Sequence, residues 1–168
     1  MEERIKEFMR NVPQAVFIAI AKSPKGLSGL TISSFELVSL KPTITLISID
    51  KSAESLETFI KAIGWTISLL SEEQEGFSKL FSNKEISQSE RFKINYNKSS
   101  FLKIPYINNC IGYLECLYYK HFEIGDHFIF FGKVVNVEII NEKKPLIYYK
   151  RNYHRVLWST IKLVKFQN

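Results

Sequence analysis

Residues 110–140 carry the feature that most limits the fold: CIGYLECLYYKHF, a short EIGD, and then HFIFFGKVVNVEII. Valine, isoleucine, phenylalanine and tyrosine crowd both flanks, which suits extended chain, and Gly-Asp is a common turn pair. The stretch reads as one long hairpin, and a hairpin is antiparallel by construction. Its faces need further strands to cover them. AVFIAIA (15–21), ITLISI (44–49) and WTISLL (65–70) supply short apolar runs bounded by turn residues. Helical spacing is rarer. Ile5, Phe8, Met9 and Val12 predict a short helix that ends at Pro13 and packs one face on the body. Ser52 is placed to cap a helix over 53–62, with Leu56, Phe59, Ile60 and Ile63 inward. Ser71 and Gln74 have capping-box spacing before a helix carrying Phe77, Leu80 and Phe81. Residues 82–109 are polar and irregular, an excursion with short strands. Strictly alternating βα units are absent, so the fold is expected to be mainly β, an antiparallel barrel with peripheral helices.

A chain of 168 residues fits one domain, taken here as 1–168. Thirteen Phe and eight Tyr are enough for a β-rich core and for the walls of a flat-ligand pocket. The net charge of +6 could favour anionic ligands, but the lysines stand singly or in pairs, which argues against a nucleic-acid partner. No apolar run approaches the ~20 residues that cross a bilayer, and the charged N-terminus lacks the apolar core of a signal peptide. No membrane association and a cytoplasmic location are therefore expected. Cys110 and Cys116 would lie about 20 Å apart along one strand, too far to pair, so both are expected as buried free thiols. With His121 and His127 they make no recognisable metal-ligand spacing, and no metal is expected. Walker and Gly-rich nucleotide sequences are missing, as are Ser-His-Asp and paired-carboxylate arrangements.

Polar chemistry is concentrated in Gly26–Leu40, GLSGLTISSFELVSL, which places Ser28, Thr31, Ser33, Ser34 and Ser39 in a strand-like run. A buried hydroxyl without a partner costs about 1–3 kcal/mol, so a polar ligand along this strand is one way to satisfy them. Alternation puts Thr31 and Ser33 on one face and Ser34 on the other. Read alone, the segment also fits a turn followed by a half-exposed strand. Lys51, Ser52 and Ser55 stand at a strand-to-helix junction, where free N–H groups and a lysine suit a phosphate, or simply an N-cap. Glu54 sits among them, and a carboxylate beside a phosphate is unfavourable. Gly125-Asp126 reads as a turn, but a turn does not account for His127. Tyr148, Tyr149, Arg151 and Tyr153 could stack on a flat ring and meet an anion, or form a basic aromatic protein interface.

The ordered set resembles the flavin reductase-like family. The set runs P-x-x-V-F-I-A-I-A, then GLSGLTISSFELVSLKP, then a strand, a Lys-Ser pair and a helix. ISLL, Gln74, GYLEC, GDH at 125–127 and PLIYYKRNY at 145–153 follow in order. The likeness extends from about Met9 to Tyr153. It implies an FMN-binding split β-barrel, antiparallel and Greek-key-like, that works as a homodimer. The implied activity is NAD(P)H-dependent flavin reduction, with hydride passing from NADH or NADPH to FMN or FAD and reduced flavin going on to a monooxygenase. A flavin-binding electron carrier or ferric reductase is the alternative. Carried onto this sequence, the resemblance puts Thr31, Ser33, Ser34, Lys51, Ser52 and Ser55 at the flavin. His127, Tyr149, Arg151 and Tyr153 fall in the nicotinamide region, with His127 positioning rather than abstracting a proton. The family commonly has basic or small residues where this chain has Glu54.

Overall fold

The computed structural model describes residues 1–157. Residues 158–168, the remainder of the 1–168 domain, lie outside them. In chain order the elements are α1 (Glu2–Arg10), β1 (Gln14–Ala15), β2 (Phe17–Ser23), β3 (Gly26–Ile32), β4 (Phe35–Leu40), β5 (Thr43–Asp50) and α2 (Leu56–Lys61). Next come β6 (Gly64–Leu69), α3 (Glu75–Ser82), α4 (Gln88–Arg91), β7 (Tyr96–Lys98) and β8 (Pro105–Ile107). β9 (Gly112–Ile124), β10 (His127–Ile139), β11 (Leu146–Tyr149) and β12 (Asn152–Arg155) complete the described chain.

Seven strands form one antiparallel sheet in the order β3-β2-β6-β9-β10-β5-β4, curled as a split barrel. β9 and β10 are the long hairpin, closed through Gly125-Asp126, with Gly125 at φ +59, a conformation glycine takes without strain. The central pairings skip along the sequence: β2 lies against β6, and β5 against β10. β1, β11 and β12 make a small second sheet, and β7 with β8 a third.

Strand β2 is buried on both faces, which explains why AVFIAIA shows no polar alternation. Ala19 and Ala21 face a core with Trp65, Phe59, Phe130 and Ile47. Ile18 and Ile20 face a second core with Phe81, Leu70, Ile104 and Leu146. The first core is tight. A Cβ on Gly132 would stand 2.7 Å from both the Trp65 ring and the Cys116 Cβ, so only glycine fits beside that indole. Cys110 and Cys116 are buried free thiols, as expected. Burial pushes the thiol pKa of each up to about 11.

Four expectations change. Gly26–Leu40 is not one strand: the ladder stops at Ile32, resumes at Phe35, and its halves occupy opposite ends of the sheet. Helix α1 forms but buries none of its residues, and Ile5, Phe8 and Met9 stay exposed, because a cavity of about 350 Å³ keeps its Lys6–Arg10 stretch off Tyr148–Arg151. Helix α2 is shorter than 53–62, and Ser55, not Ser52, precedes it. Phe59 is buried, but Ile60 and Ile63 are exposed, since six residues present only one narrow face. At α3 only half of the box exists. The Ser71 N–H donates to Gln74 Oε1 at 3.0 Å, and Gln74 itself is the N-cap.

Candidate active site

The break at Ser33-Ser34 makes the site. At the end of β3, Thr31 and Ser33 both line a cavity of about 260 Å³, as the alternation argument required. Helix α3 forms the adjoining wall. Its apolar face docks on β3 because Gly29 leaves room for Phe81; a Cβ there would sit 2.7 Å from the ring. That docking carries Ser78 inward as well. The Thr31 hydroxyl donates to the Ser78 carbonyl at 2.7 Å, and the buried Ser78 hydroxyl lies 2.8 Å from the Tyr153 hydroxyl. One helix residue thus ties β3 to β12. Tyr148 and Tyr153, with ring centres 5.3 Å apart, complete an aromatic wall opposite the hydroxyls.

A second cavity of about 370 Å³ shares Thr31 and Ser82 with the first and continues the cleft. Its chemistry is ionic. Ser52, Glu54, Lys84 and Arg91 line it. Arg91 is held under β3: Nη1 donates to the Gly29 carbonyl at 3.0 Å and Nη2 to the Asn83 carbonyl at 2.7 Å. Glu54 Oε2 lies 3.9 Å from Nη2.

The other expected residues fall in three places. Ser34 faces away, and its hydroxyl accepts from the Ser48 N–H at 3.1 Å and donates to the Ser48 carbonyl at 2.9 Å. Ser55 is buried below the junction with an unpartnered hydroxyl. Lys51 pairs with Glu123 of the long hairpin at 2.5 Å, while its N–H donates to the Asp126 carbonyl. That bond brings the 125–127 turn beside the junction. His127 on β10 stands in register with Asp50 on β5, and its Nδ1 lies 2.7 Å from Asp126 Oδ1. The imidazole beside Asp126 holds that carboxyl below the usual carboxylate range. At Asp50 the hydroxyl and N–H of Ser52 do the same. Tyr149 and Arg151 line a separate cavity of about 350 Å³ against α1, with Lys6, Met9 and Arg10, and Tyr148 lines both it and the cleft.

The polar cleft lies over the broken edge of a split barrel, and that barrel is the fold the motif order implied. A sequence profile described as the flavin reductase like domain matches residues 9–157. The chain belongs to this family. It is 27% identical over 160 residues to the 4-hydroxyphenylacetate 3-monooxygenase, reductase component, of Thermus thermophilus, spanning 95% of this chain and all of that relative. To a flavin reductase of Pseudomonas putida it is 28% identical over 142 residues, 84% of this chain and 82% of the relative. The solved structure of flavin reductase HpaC complexed with NADP+ superimposes with a TM-score of 0.84 at 26% identity, covering 93% of this chain and 98% of that one.

Within this flavin reductase-like domain, sequence reasoning missed Ser78, Ser82, Lys84 and Arg91. Ser78 and Ser82 had a readable signal, because they share the face of α3 that carries Phe81. Arg91 had none. It reaches the cleft through α4, inside the excursion that looked merely irregular. Among the described residues no group of three or more His, Cys, Asp or Glu could hold a metal ion, and no helix is long and apolar enough to cross a membrane.

Proposed function

We propose that the protein is an NAD(P)H:flavin oxidoreductase that passes hydride from NADH or NADPH to FMN or FAD. The observation that carries this reading is the two-part cleft of a flavin reductase-like chain: an aromatic and hydroxyl-lined half joined through Thr31 to an ionic half. The donor set fits a flavin. Thr31 and Ser33 suit the heteroatom edge of a flat ring, Tyr148 and Tyr153 its face, and Ser52, Lys84 and Arg91 a phosphorylated tail. Thr31 spends its proton on Ser78 and keeps lone pairs to accept a ring N–H. Ser34 contributes through the backbone it fixes, and Ser55 and Lys51 by shaping the junction.

A flavin held there would supply the hydride acceptor. The protein's part is placement, because hydride transfer depends on close, aligned rings more than on an acid or base. His127, oriented by Asp126 and half exposed beside the Lys51 junction, would donate to the nicotinamide carboxamide. Tyr149 and Arg151 offer a neighbouring surface for the rest of the dinucleotide. The reduced flavin then serves a monooxygenase, as the names of the reductase-component relatives suggest.

The working unit is a homodimer. On the side of the barrel where β4 and β10 present apolar side chains, a groove of about 470 Å³ is lined by Phe35, Leu37, Leu40, Val137 and Ile139. Leu40 is 70% and Ile139 82% exposed in the single chain, and a second copy would cover them. Two buried free thiols suit the reducing cytoplasm.

The absorption spectrum of purified protein with added FMN or FAD, before and after anaerobic NADH or NADPH, tests the reading. Bleaching by a nicotinamide is expected. Flavin binding without bleaching would leave an electron carrier, and failure to bind either flavin would remove the flavin site altogether.

A further inference from the structure

The ionic half of the cleft contains a carboxylate, and the inference rests on the flavin reading above. Glu54 follows Ser52 and Ala53 into the same cavity as Lys84 and Arg91. Its Oε2 lies 3.9 Å from Arg91 Nη2 and accepts from Gln88 Nε2 at 3.4 Å. Gln88 in turn accepts from the Gly29 N–H at 2.9 Å through its own Oε1, so α4 holds the carboxylate's partners against β3. Lys51, the other cation of the junction, is turned to Glu123. The cations at this end are therefore Lys84 and Arg91, with Glu54 set against them.

We propose that Glu54 is a specificity-determining residue that selects FAD over FMN. The tail of FMN ends in a phosphate monoester, close to a dianion at neutral pH. The two phosphates of FAD carry one charge each and lead to a ribose whose vicinal hydroxyls can donate to a carboxylate, the contact acidic residues make with dinucleotide riboses elsewhere. Glu54 repels the first tail and accepts from the second. The Arg91 side chain is only 6% exposed and fixed by two carbonyls, whereas that of Glu54 is 56% exposed. The carboxylate is thus free to leave the guanidinium for a diol, and the guanidinium stays in place for a phosphate.

Quenching of flavin fluorescence tests this with wild type and Glu54→Gln, titrated with FMN, FAD and riboflavin. Wild type is expected to bind FAD about tenfold more tightly than FMN, the size of one charge contact in a partly screened site. In Glu54→Gln, FMN should gain about tenfold and FAD should weaken slightly. Riboflavin, which has no phosphate, should not change. The FMN gain should shrink in high salt. Tighter FMN than FAD binding by wild type, or an equal shift of both flavins in the variant, overturns the assignment of Glu54 and leaves the flavin site standing. Wild type that binds none of the three overturns the functional reading, and this inference with it.

Discussion

The cleft beside β3 and the groove beside β4 come from one fifteen-residue run, Gly26–Leu40, yet they have opposite chemistry. In the first half, Thr31 and Ser33 turn hydroxyls toward α3 and the tyrosines, and charged groups follow at Glu54, Lys84 and Arg91. In the second half, Leu37, Val38 and Leu40 stand exposed along an edge strand. Two residues, Ser33 and Ser34, separate them. An edge strand with bare apolar side chains is ordinarily a liability, whereas a polar edge is harmless. The contrast matches the two proposed roles, a flavin cleft beside the first half and a contact with a second copy beside the second.

The largest effect is expected at the groove. Leu40→Asp places a charge on the proposed contact and should weaken self-association at least a hundredfold, read by sedimentation across protein concentrations. The fold of the single chain should survive, since Leu40 packs little within it. Wild type that sediments as a monomer at all concentrations would break the comparison, leaving the apolar edge without an occupant.

The next effect lies on the other face of β9 from Leu114, which lines the groove. Glu115 is fully buried, and its carboxylate accepts from the Phe101 and Leu102 N–H groups, from Ser100 and from Asn136 Nδ2. Burial works against its charge, but the Leu102 N–H, Ser99, the Phe101 N–H and Asn136 outweigh it and hold the carboxyl below its ordinary range. A carboxyl depressed in the folded state adds stability that is complete above the unfolded value and is lost as pH falls through the folded one. Glu115→Gln should cost about 2–3 kcal/mol in denaturant unfolding near neutral pH, because it trades charge-assisted bonds for weaker ones and misplaces a donor. The gap from wild type should narrow as the pH falls below the ordinary carboxylate range. Flavin affinity should stay nearly unchanged, because Glu115 and its partners do not line the cleft. An equal loss of flavin affinity would show that the two regions are coupled.

How far the sequence revealed this division depends on the range of the interaction involved. Local signals served well. Alternation placed Thr31 and Ser33 together and Ser34 apart, and the Gly-Asp turn registered the long hairpin so that His127 starts β10. The continuous apolar run of β2 was legible as a strand but not as one buried on both faces, because the second layer comes from α3, β8 and β11. Distant partners were not legible. Nothing near Lys51 in the sequence announces Glu123, and nothing near Gly29 announces Arg91 from sixty residues downstream. The amphipathic pattern of α1 predicted a helix correctly and its packing wrongly. Periodicity reports that a face is apolar, not what covers it.

The smallest effect bears on the joint itself. Ser34 both accepts from and donates to the backbone of Ser48, taking the place of a ladder residue where β3 ends and β4 has not begun. Its neighbour Ser33 faces the cleft, so the pair divides the two chemistries between consecutive side chains. Ser34→Ala leaves the Ser48 N–H and carbonyl without that partner and should cost about 1 kcal/mol in thermal or denaturant unfolding. Flavin affinity is expected to move less than twofold, because only backbone held by Ser34 reaches the ligand. A tenfold loss of flavin affinity at unchanged stability would place the Ser34 hydroxyl on the flavin. The boundary between cleft and groove would then lie one residue further along the chain, after Ser34 rather than between the two serines.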